Sequence, residues 1–277
     1  MLPAFLLLVW INLLPVVASF FFFPRPSLVF TRKYLQPFDA NRVHDFLDSD
    51  ASLQVGEYSI QSRAGEVNDA DLVRNKNFTI VLGNTRMGWG CGRHPTTKLC
   101  LDFVLDTVKS GEVVVDYGTG SGVIAILAKK LNASKVVAVD IDEDSLEAAR
   151  ENLKLNGVVE DVDLCHTSEI YLGNERFPLA DCTIANILPG ALTRLVVPLW
   201  GLTKEGGYLC LSGMRPDELT SVREKFLPFI DVDSEQVTTA GTEITGEYIR
   251  WVVKTKSNLS SHERSRLVSS MTEGAME

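Results

Sequence analysis

The residues best suited to chemistry form the segment D-x-G-x-G-x-G, which runs from Asp116 through Gly118 and Gly120 to Gly122. Glycine has no Cβ atom, so these positions permit positive φ angles and let the backbone lie flat against a ligand. A second acid, Asp140, follows 22 residues after Gly118. An acid at this distance is placed to accept hydrogen bonds from the two hydroxyls of a ribose. The spacing therefore predicts a site for a nucleoside-containing cofactor.

Hydrophobic patterning places this segment between a buried strand and a helix. Three β-branched residues, Val113–Val115, precede the glycines, and an apolar helical pattern follows over 123–131. A second strand over 135–139 then ends at Asp140. A strand, a glycine turn, a helix and a second strand are typical of a βαβ unit, so the fold class is predicted to be α/β.

Two cofactor classes use this layout: dinucleotides and S-adenosylmethionine. The dinucleotide fingerprint G-x-G-x-x-G has a third glycine for close packing of helix and strand, and here that position is Val123. The observed spacing is G-x-G-x-G, and Asp116 precedes the first glycine by two residues. This combination resembles the class I methyltransferases, which use S-adenosylmethionine. A tight turn in another kind of α/β protein is the alternative, because short motifs produce false matches.

A longer run of motifs makes the resemblance more specific. The chain reads G-x-G-x-H-P-T-T-x-L-C-L from Gly90, and then D-x-G-x-G-S-G, V-D-I-D and A-R-E-N-x-x-x-N-G. From Gly90 to Met214 this is similar to the PrmA family, whose members methylate the eleventh protein of the bacterial large ribosomal subunit. The resemblance implies a Rossmann-like, seven-stranded, mostly parallel sheet with helices on both faces and an antiparallel last strand.

The resemblance also implies which residues contact the cofactor. Thr97 lies 21 residues before Gly118, as the cofactor-contacting Thr of the family does. Gly118 and Asp140 match cofactor positions of the family. Thr119 and Gly120 complete the predicted cofactor-binding turn, and Thr119 stands where the family usually has Cys.

Asn186 stands at the exit of the predicted fourth strand, in the segment N-I-L-P. Ligands of open α/β sheets bind beyond the carboxyl ends of the strands, so chemistry is expected here. The segment matches an Asn position of the family and is similar to the N-P-P-Y loop of amino-group methyltransferases. That loop holds an N–H-bearing acceptor by side-chain and backbone carbonyls, which implies catalytic and cofactor-binding roles for Asn186. The alternative is that Asn186 caps the next helix.

The implied activity is protein N-methylation. A methyl group would pass from S-adenosylmethionine to amino groups, of lysine or of the N-terminus, in a basic ribosomal protein. One alternative is a lysine methyltransferase of another organelle protein, such as the β-subunit of electron transfer flavoprotein. Another alternative is a protein that binds S-adenosylmethionine without catalysis. The chain is expected to be a monomer.

Composition and charge bear on the partners. The net charge of −9 argues against a long footprint on nucleic-acid phosphates, so no direct contact with nucleic acid is predicted. The five cysteines and four histidines form neither a C-x-x-C pair nor a metal-spaced cluster, so no metal is predicted. Buried positions are expected for Cys100, Cys182 and Cys210, which fall in apolar runs.

The ends of the chain differ in composition from its middle. Residues 2–17 are almost wholly apolar and end in V-A-S, as signal peptides do, and residues 20–38 are basic and free of acids, as transit peptides are. Together they resemble the bipartite plastid presequence, which implies a plastid protein with no membrane association in its mature form. Mitochondrial import, secretion and a membrane anchor are the alternatives. The predicted division is a presequence over 1–38, a small appendage over 39–87, the methyltransferase domain over 88–256 and a disordered tail over 257–277.

Periodicity predicts the remaining elements. Helices are expected over 41–47, 144–156, 191–202 and 216–226, and further strands over 78–82, 162–165, 206–213 and 248–253. The helix after H-P-T-T is expected to be capped by Thr96 or Thr97. His94 is expected to be structural or solvated.

Overall fold

The computed structural model describes residues 52–62, 79–83, 92, 94–170, 178–243 and 245–257. The presequence, the helix expected over 41–47 and the tail from residue 258 lie outside these residues, and their assignments stay predictions. Among the described residues, no helix has the length and apolar composition needed to span a bilayer.

Ten strands occur in the described part of the chain, and they form two sheets. In chain order they are β1 (Ser52–Val55), β2 (Tyr58–Ser62), β3 (Thr79–Leu82), β4 (Val113–Tyr117), β5 (Lys135–Asp140), β6 (Val162–His166), β7 (Ala180–Asn186), β8 (Thr203–Met214), β9 (Ile230–Thr242) and β10 (Gly246–Thr255).

The larger sheet has seven strands in the order β6-β5-β4-β7-β8-β10-β9. Neighbours from β6 to β8 are parallel, and β10 is antiparallel to both β8 and β9. The order reverses direction beside β4, so the carboxyl ends of β4 and β7 lie together at the switch point, where ligands of open α/β sheets bind. The predicted mostly parallel sheet with an antiparallel last strand is confirmed.

Helices cover both faces of this sheet, as predicted. They are α1 (Pro95–Thr107), α2 (Val123–Lys130), α3 (Glu143–Leu155), α4 (Pro189–Arg194), α5 (Val196–Leu202) and α6 (Leu219–Phe226). Successive side chains of a strand point to opposite faces. Val114 and Val136 accordingly share one apolar cluster with α1, α2 and α3, and Val115 and Val137 share the other with α4, α5 and α6. The three cysteines expected in the core are buried.

The smaller sheet has the order β1-β2-β3, with β1 and β2 antiparallel and β2 and β3 parallel. Its apolar residues, which include Val55, Ile60 and Leu82, belong to the same buried cluster as side chains of α1 and α2. The strands fall within the appendage predicted over 39–87. They therefore share a hydrophobic core with the helices that flank the glycine turn.

The structure corrects one expected helix and adds one strand of the large sheet that was not expected. The helix expected over 191–202 is broken between α4 and α5 at Leu195, whose φ of −100° and ψ of 16° leave the helical region. Pro198 explains the break, because its ring lacks an N–H and would clash with the carbonyl of Arg194 in a continuous helix. The thirteen-residue strand β9 was not expected at all, since its exposed polar sequence lacks alternation and is held by pairing with β10.

Candidate cofactor and catalytic site

The glycine turn between β4 and α2 has the backbone that its composition predicts. Gly118, Gly120 and Gly122 have φ angles of 80°, 53° and 79°, a region that other residues rarely adopt. The N–H groups of Gly118 and Thr119 donate to the Val139 carbonyl at 2.8 and 2.9 Å. These bonds fix the turn to the end of β5 at the switch point of the sheet.

Asp140 ends β5 and is largely buried. Its Oδ2 accepts a hydrogen bond from the Gly120 N–H at 2.9 Å, and its Oδ1 accepts from the N–H groups of Ile141 and Asp142 at 2.8 and 3.1 Å. A carboxylate offers about four lone-pair sites, so three backbone donors leave room for a further one. Asp140 therefore shapes the glycine turn and keeps acceptor capacity beside it. Its predicted contact with ribose hydroxyls stays a prediction.

Asp116, two residues before the turn, is fully buried. Its Oδ2 accepts hydrogen bonds from the Thr119 hydroxyl at 2.7 Å and the Ala125 N–H at 3.2 Å. Within the described part of the chain, its Oδ1 has no hydrogen-bond partner. Burial raises the pKa of Asp116 to about 7; the two hydrogen bonds oppose that rise and the charge of Asp140 adds to it. A buried acid that is half-ionised at neutral pH suits a cationic ligand, whose charge would stabilise the ionised form.

Cofactor binding is therefore expected to release protons through Asp116. Because the pKa of the free protein is about 7, ionisation of Asp116 on binding a cation would release about half a proton per site at pH 7. Titration calorimetry in buffers of different ionisation enthalpy measures this number. The affinity for the cofactor should fall by up to about tenfold per pH unit below 7, because Asp116 is then protonated in the free protein and must lose its proton when the cationic cofactor binds. Asp116→Asn should abolish the proton release, and a wild-type release of zero at pH 7 would contradict the assignment.

The segment N-I-L-P meets the segment H-P-T-T. The Asn186 Nδ2 donates to the Thr97 Oγ1 at 3.4 Å, although the two residues are 89 positions apart. Thr97 is buried in the first turn of α1, and Asn186 is the last residue of β7. The N-cap of α4 is Leu188, so the alternative that Asn186 caps this helix is wrong.

Ile187 lies between two glycines from the strands on either side of β7. A Cβ atom at Gly118 would lie 2.3 Å from the Ile187 Cγ2, and a Cβ at Gly213 would lie 2.3 Å from the Ile187 carbonyl oxygen. The Ile187 N–H also donates to the Ser212 carbonyl at 3.2 Å. The backbone that follows Asn186 is thus held against the glycine turn on one side and the end of β8 on the other.

His94, not Thr96 or Thr97, is the N-cap of α1, which corrects the expectation for this helix. Its Nδ1 accepts from the Thr96 N–H at 3.3 Å and lies 2.7 Å from the Thr96 Oγ1. Burial, with a smaller contribution from the charge of Arg215, lowers the pKa of His94 to about 4. The imidazole is therefore neutral at pH 7, and its Nδ1 can accept the hydrogen bond from the Thr96 N–H. The prediction of a structural role is consistent with this cap and with the edge-on contact to the Tyr248 ring at 4.7 Å.

The structure brings the predicted residues to one place. Gly118, Thr119 and Gly120 form the turn, Asp140 supports it, and Asn186 reaches Thr97 across the end of the sheet. Gly213 was missed as a site residue, because a glycine at the end of a strand has no motif of its own. Its place beside Asn186 follows only from the strand order.

These residues fit S-adenosylmethionine. The glycine turn lies at the switch point of the sheet, and Asp140 keeps acceptor capacity beside it. The buried Asp116, whose Oδ1 has no hydrogen-bond partner among the described residues, stands two residues before the turn. Among the described residues, no group of three or more His, Cys, Asp or Glu side chains could hold a metal ion.

Comparison with known proteins identifies the family. Residues 67–246 match the family described as ribosomal protein L11 methyltransferase (PrmA). The chain belongs to the PrmA family. A ribosomal protein L11 methyltransferase of Vibrio cholerae is 38% identical over 149 residues, which are 53% of this chain and 48% of that protein. One from Alteromonas mediterranea is 33% identical over 214 residues, which are 76% of this chain and 67% of that protein.

A solved member of the PrmA family has the same architecture. The crystal structure of ribosomal protein L11 methylase from Lactobacillus delbrueckii subsp. bulgaricus aligns with a TM-score of 0.56 and 26% identity, over 74% of this chain and 97% of that one. The match to the Vibrio protein spans about half of that relative's length. Membership confirms the resemblance to PrmA, the class I methyltransferase fold and S-adenosylmethionine as the cofactor.

Proposed function

We propose that this chain is a protein N-methyltransferase that transfers methyl groups from S-adenosylmethionine to amino groups of a ribosomal protein. The observation that carries the proposal is the contact between Asn186 and Thr97. It places a side-chain amide at the carboxyl end of β7, next to the glycine turn of the cofactor site.

The chemistry requires little covalent help from the protein. A sulfonium is an activated methyl donor, so catalysis rests on aligning the acceptor nitrogen with the methyl group, and positioning alone can contribute about 7–11 kcal/mol. The side-chain carbonyl of Asn186 and nearby backbone carbonyls would orient the N–H groups and stabilise the positive charge that develops on nitrogen. A lysine acceptor must first lose a proton, because its free pKa is about 10.4, and desolvation in the site lowers that pKa.

Two observations favour a basic ribosomal protein as the substrate. The relatives in Vibrio and Alteromonas are named for methylating ribosomal protein L11. The net charge of −9 suits a positively charged partner. The acceptor is proposed to be a lysine or N-terminal amino group, and the enzyme is proposed to act as a monomer without direct contact to nucleic acid.

Labelled S-adenosylmethionine tests the proposal. The protein lacking residues 1–38 is incubated with labelled cofactor and with plastid and mitochondrial extracts, and the labelled product is identified by mass spectrometry. Label on amino groups of one small basic ribosomal protein is the expected result. Label on the β-subunit of electron transfer flavoprotein would identify that subunit, and not a ribosomal protein, as the substrate. Cofactor binding without label on any protein would instead favour a non-catalytic role.

The location is proposed to be a plastid, on the basis of the presequence composition alone. A fluorescent protein fused to residues 1–38 should accumulate in plastids, and replacement of Phe20 should abolish that accumulation. Delivery of the fusion to mitochondria, to a membrane or to the medium would overturn this assignment.

A further inference from the structure

Asn152 joins two segments that are far apart in the sequence. This side chain of α3 is fully buried. Its Oδ1 accepts a hydrogen bond from the Gly83 N–H at 2.9 Å, and its Nδ2 donates to the Ser121 carbonyl at 2.9 Å. Ser121 belongs to the glycine turn, and Gly83 follows β3 directly. One side-chain amide therefore connects the cofactor turn with the end of the small sheet.

Asn156, one helical turn further along, makes a different set of contacts. Its Oδ1 accepts from the Val81 N–H at 3.1 Å, and its Nδ2 donates to the Val81 carbonyl at 2.7 Å. The amide thus pairs with both backbone groups of Val81 as a neighbouring strand would, on the free edge of β3. The Asn156 Nδ2 also donates to the backbone carbonyl of Asn152 at 2.8 Å. Asn156 stabilises the small sheet, and none of its described hydrogen bonds ends on the glycine turn.

The same face of α3 also supports the turn by close packing. A Cβ atom at Gly122 would lie 3.3 Å from the Cβ of Ala149, which precedes Asn152 by nearly one helical turn. The glycine turn therefore rests on α3 through a small side chain and is tied to it through an amide. These two contacts fix the position of the glycine turn relative to α3.

Gly83 opens the segment that leads to His94 and the first turn of α1. Gly92, at φ +83°, also lies against the small sheet, since a Cβ there would lie 2.9 Å from the Ile60 Cγ2. The two hydrogen bonds of Asn152 therefore join the glycine turn to the end of the small sheet.

We propose that Asn152 is a positioning residue, which keeps the cofactor turn in register with the end of β3. It does not touch the reacting atoms. It acts because the Ser121 carbonyl and the Gly83 N–H require one donor and one acceptor at a fixed separation, which a single amide supplies. The inference rests on the proposed function only for the identity of the cofactor.

Two truncations on the same helix test this role. Asn152→Ala should raise the dissociation constant for S-adenosylmethionine by about tenfold or more, because the Ser121 carbonyl and the Gly83 N–H lose the amide that joins them. Asn156→Ala, which removes the partner of the Val81 backbone groups, should lower the melting temperature about as much as Asn152→Ala does. It should change the dissociation constant for S-adenosylmethionine by less than about twofold. Equal changes in affinity for the two variants, or no change for either, would overturn the proposal.

An isosteric variant gives a readout that general loss of stability would not produce. In Asn152→Asp the ionised carboxylate still accepts from Gly83 but faces the Ser121 carbonyl without a donor, whereas the protonated acid can donate. The ratio of the variant's dissociation constant to that of the wild type should therefore shrink as pH falls. A ratio independent of pH would contradict the proposed hydrogen bond to Ser121.

Amide hydrogen exchange separates this inference from the proposed function. In Asn152→Ala the Gly120 and Gly122 amides should exchange faster than in Asn156→Ala, measured in both proteins without cofactor. Failure of the wild type to bind S-adenosylmethionine would count against the proposed function, and the exchange comparison would still decide the role of Asn152. Equal exchange of the two glycine amides in both variants would overturn that role.

Discussion

Asn186→Ala is expected to lower kcat for methyl transfer by about 10²–10³-fold, the effect of removing one preorganised polar group from a transition-state site. The side-chain carbonyl that orients the acceptor is lost, and so is the hydrogen bond to Thr97. Single-turnover methylation of the purified acceptor protein measures the chemical step directly. Binding of S-adenosylmethionine should change much less, since the glycine turn and Asp140 do not depend on this side chain.

The same variant distinguishes catalysis from folding. Its melting temperature should stay close to that of the wild type, because Asn186 is only partly buried and caps no helix. A variant that folds, binds cofactor and methylates at the wild-type rate would show that the end of β7 is not the catalytic position. A loss of cofactor affinity equal to the loss of turnover would assign Asn186 to binding alone.

Gly213→Ala is expected to lower turnover by about 10²-fold, since a displacement of about 1 Å near the reacting atoms can have an effect of that size. The added Cβ would lie 2.3 Å from the carbonyl oxygen of Ile187. This is a backbone atom that cannot rotate away, so the segment that follows Asn186 must shift. Steady-state kinetics should show the loss mainly in kcat, because Gly213 lies beside the end of β7.

Gly111→Ala is the matched control for that substitution. Gly111 has a φ of 89°, close to the 90° of Gly213, but a Cβ there would meet no atom within 4 Å. Both variants carry the same backbone strain of about 1–2 kcal/mol, which lowers the melting temperature of each. Gly111→Ala should keep wild-type turnover. An equal loss of turnover in the two variants would show that backbone strain, rather than the contact with Ile187, governs the effect of Gly213→Ala. Wild-type turnover in both would show that this contact does not affect the reaction.

The cofactor side of the site was predictable from sequence because it is local. The glycine turn, its strand, its helix and Asp140 lie within one βαβ unit, so their spacing along the chain determines their spacing in space. The family resemblance implied a place at the cofactor for both Asn186 and Thr97, but it did not predict that they touch each other. Nothing in the two short motifs themselves indicates that residues 89 positions apart touch.

The remaining features depend on tertiary contacts that leave little trace in the sequence. Gly213 and Ile187 meet because β8 lies beside β7, and Asn152 reaches Gly83 because β3 packs near α3. Strand β9 is polar and exposed, and its pairing with β10 replaces the alternation that would have predicted it. The break at Leu195 is different, since Pro198 is visible in the sequence and is incompatible with a continuous helix through Arg194.

A crystal structure of the protein with S-adenosylhomocysteine, the product of methyl transfer, tests the central claim most directly. The account predicts the nucleoside along Gly118 and Gly120, its ribose hydroxyls on Asp140, and its sulfur facing Asn186. The gap between them should admit a methyl group with an acceptor nitrogen about 3–3.5 Å from it. A nucleoside bound elsewhere, or a sulfur directed away from the end of β7, would contradict the account.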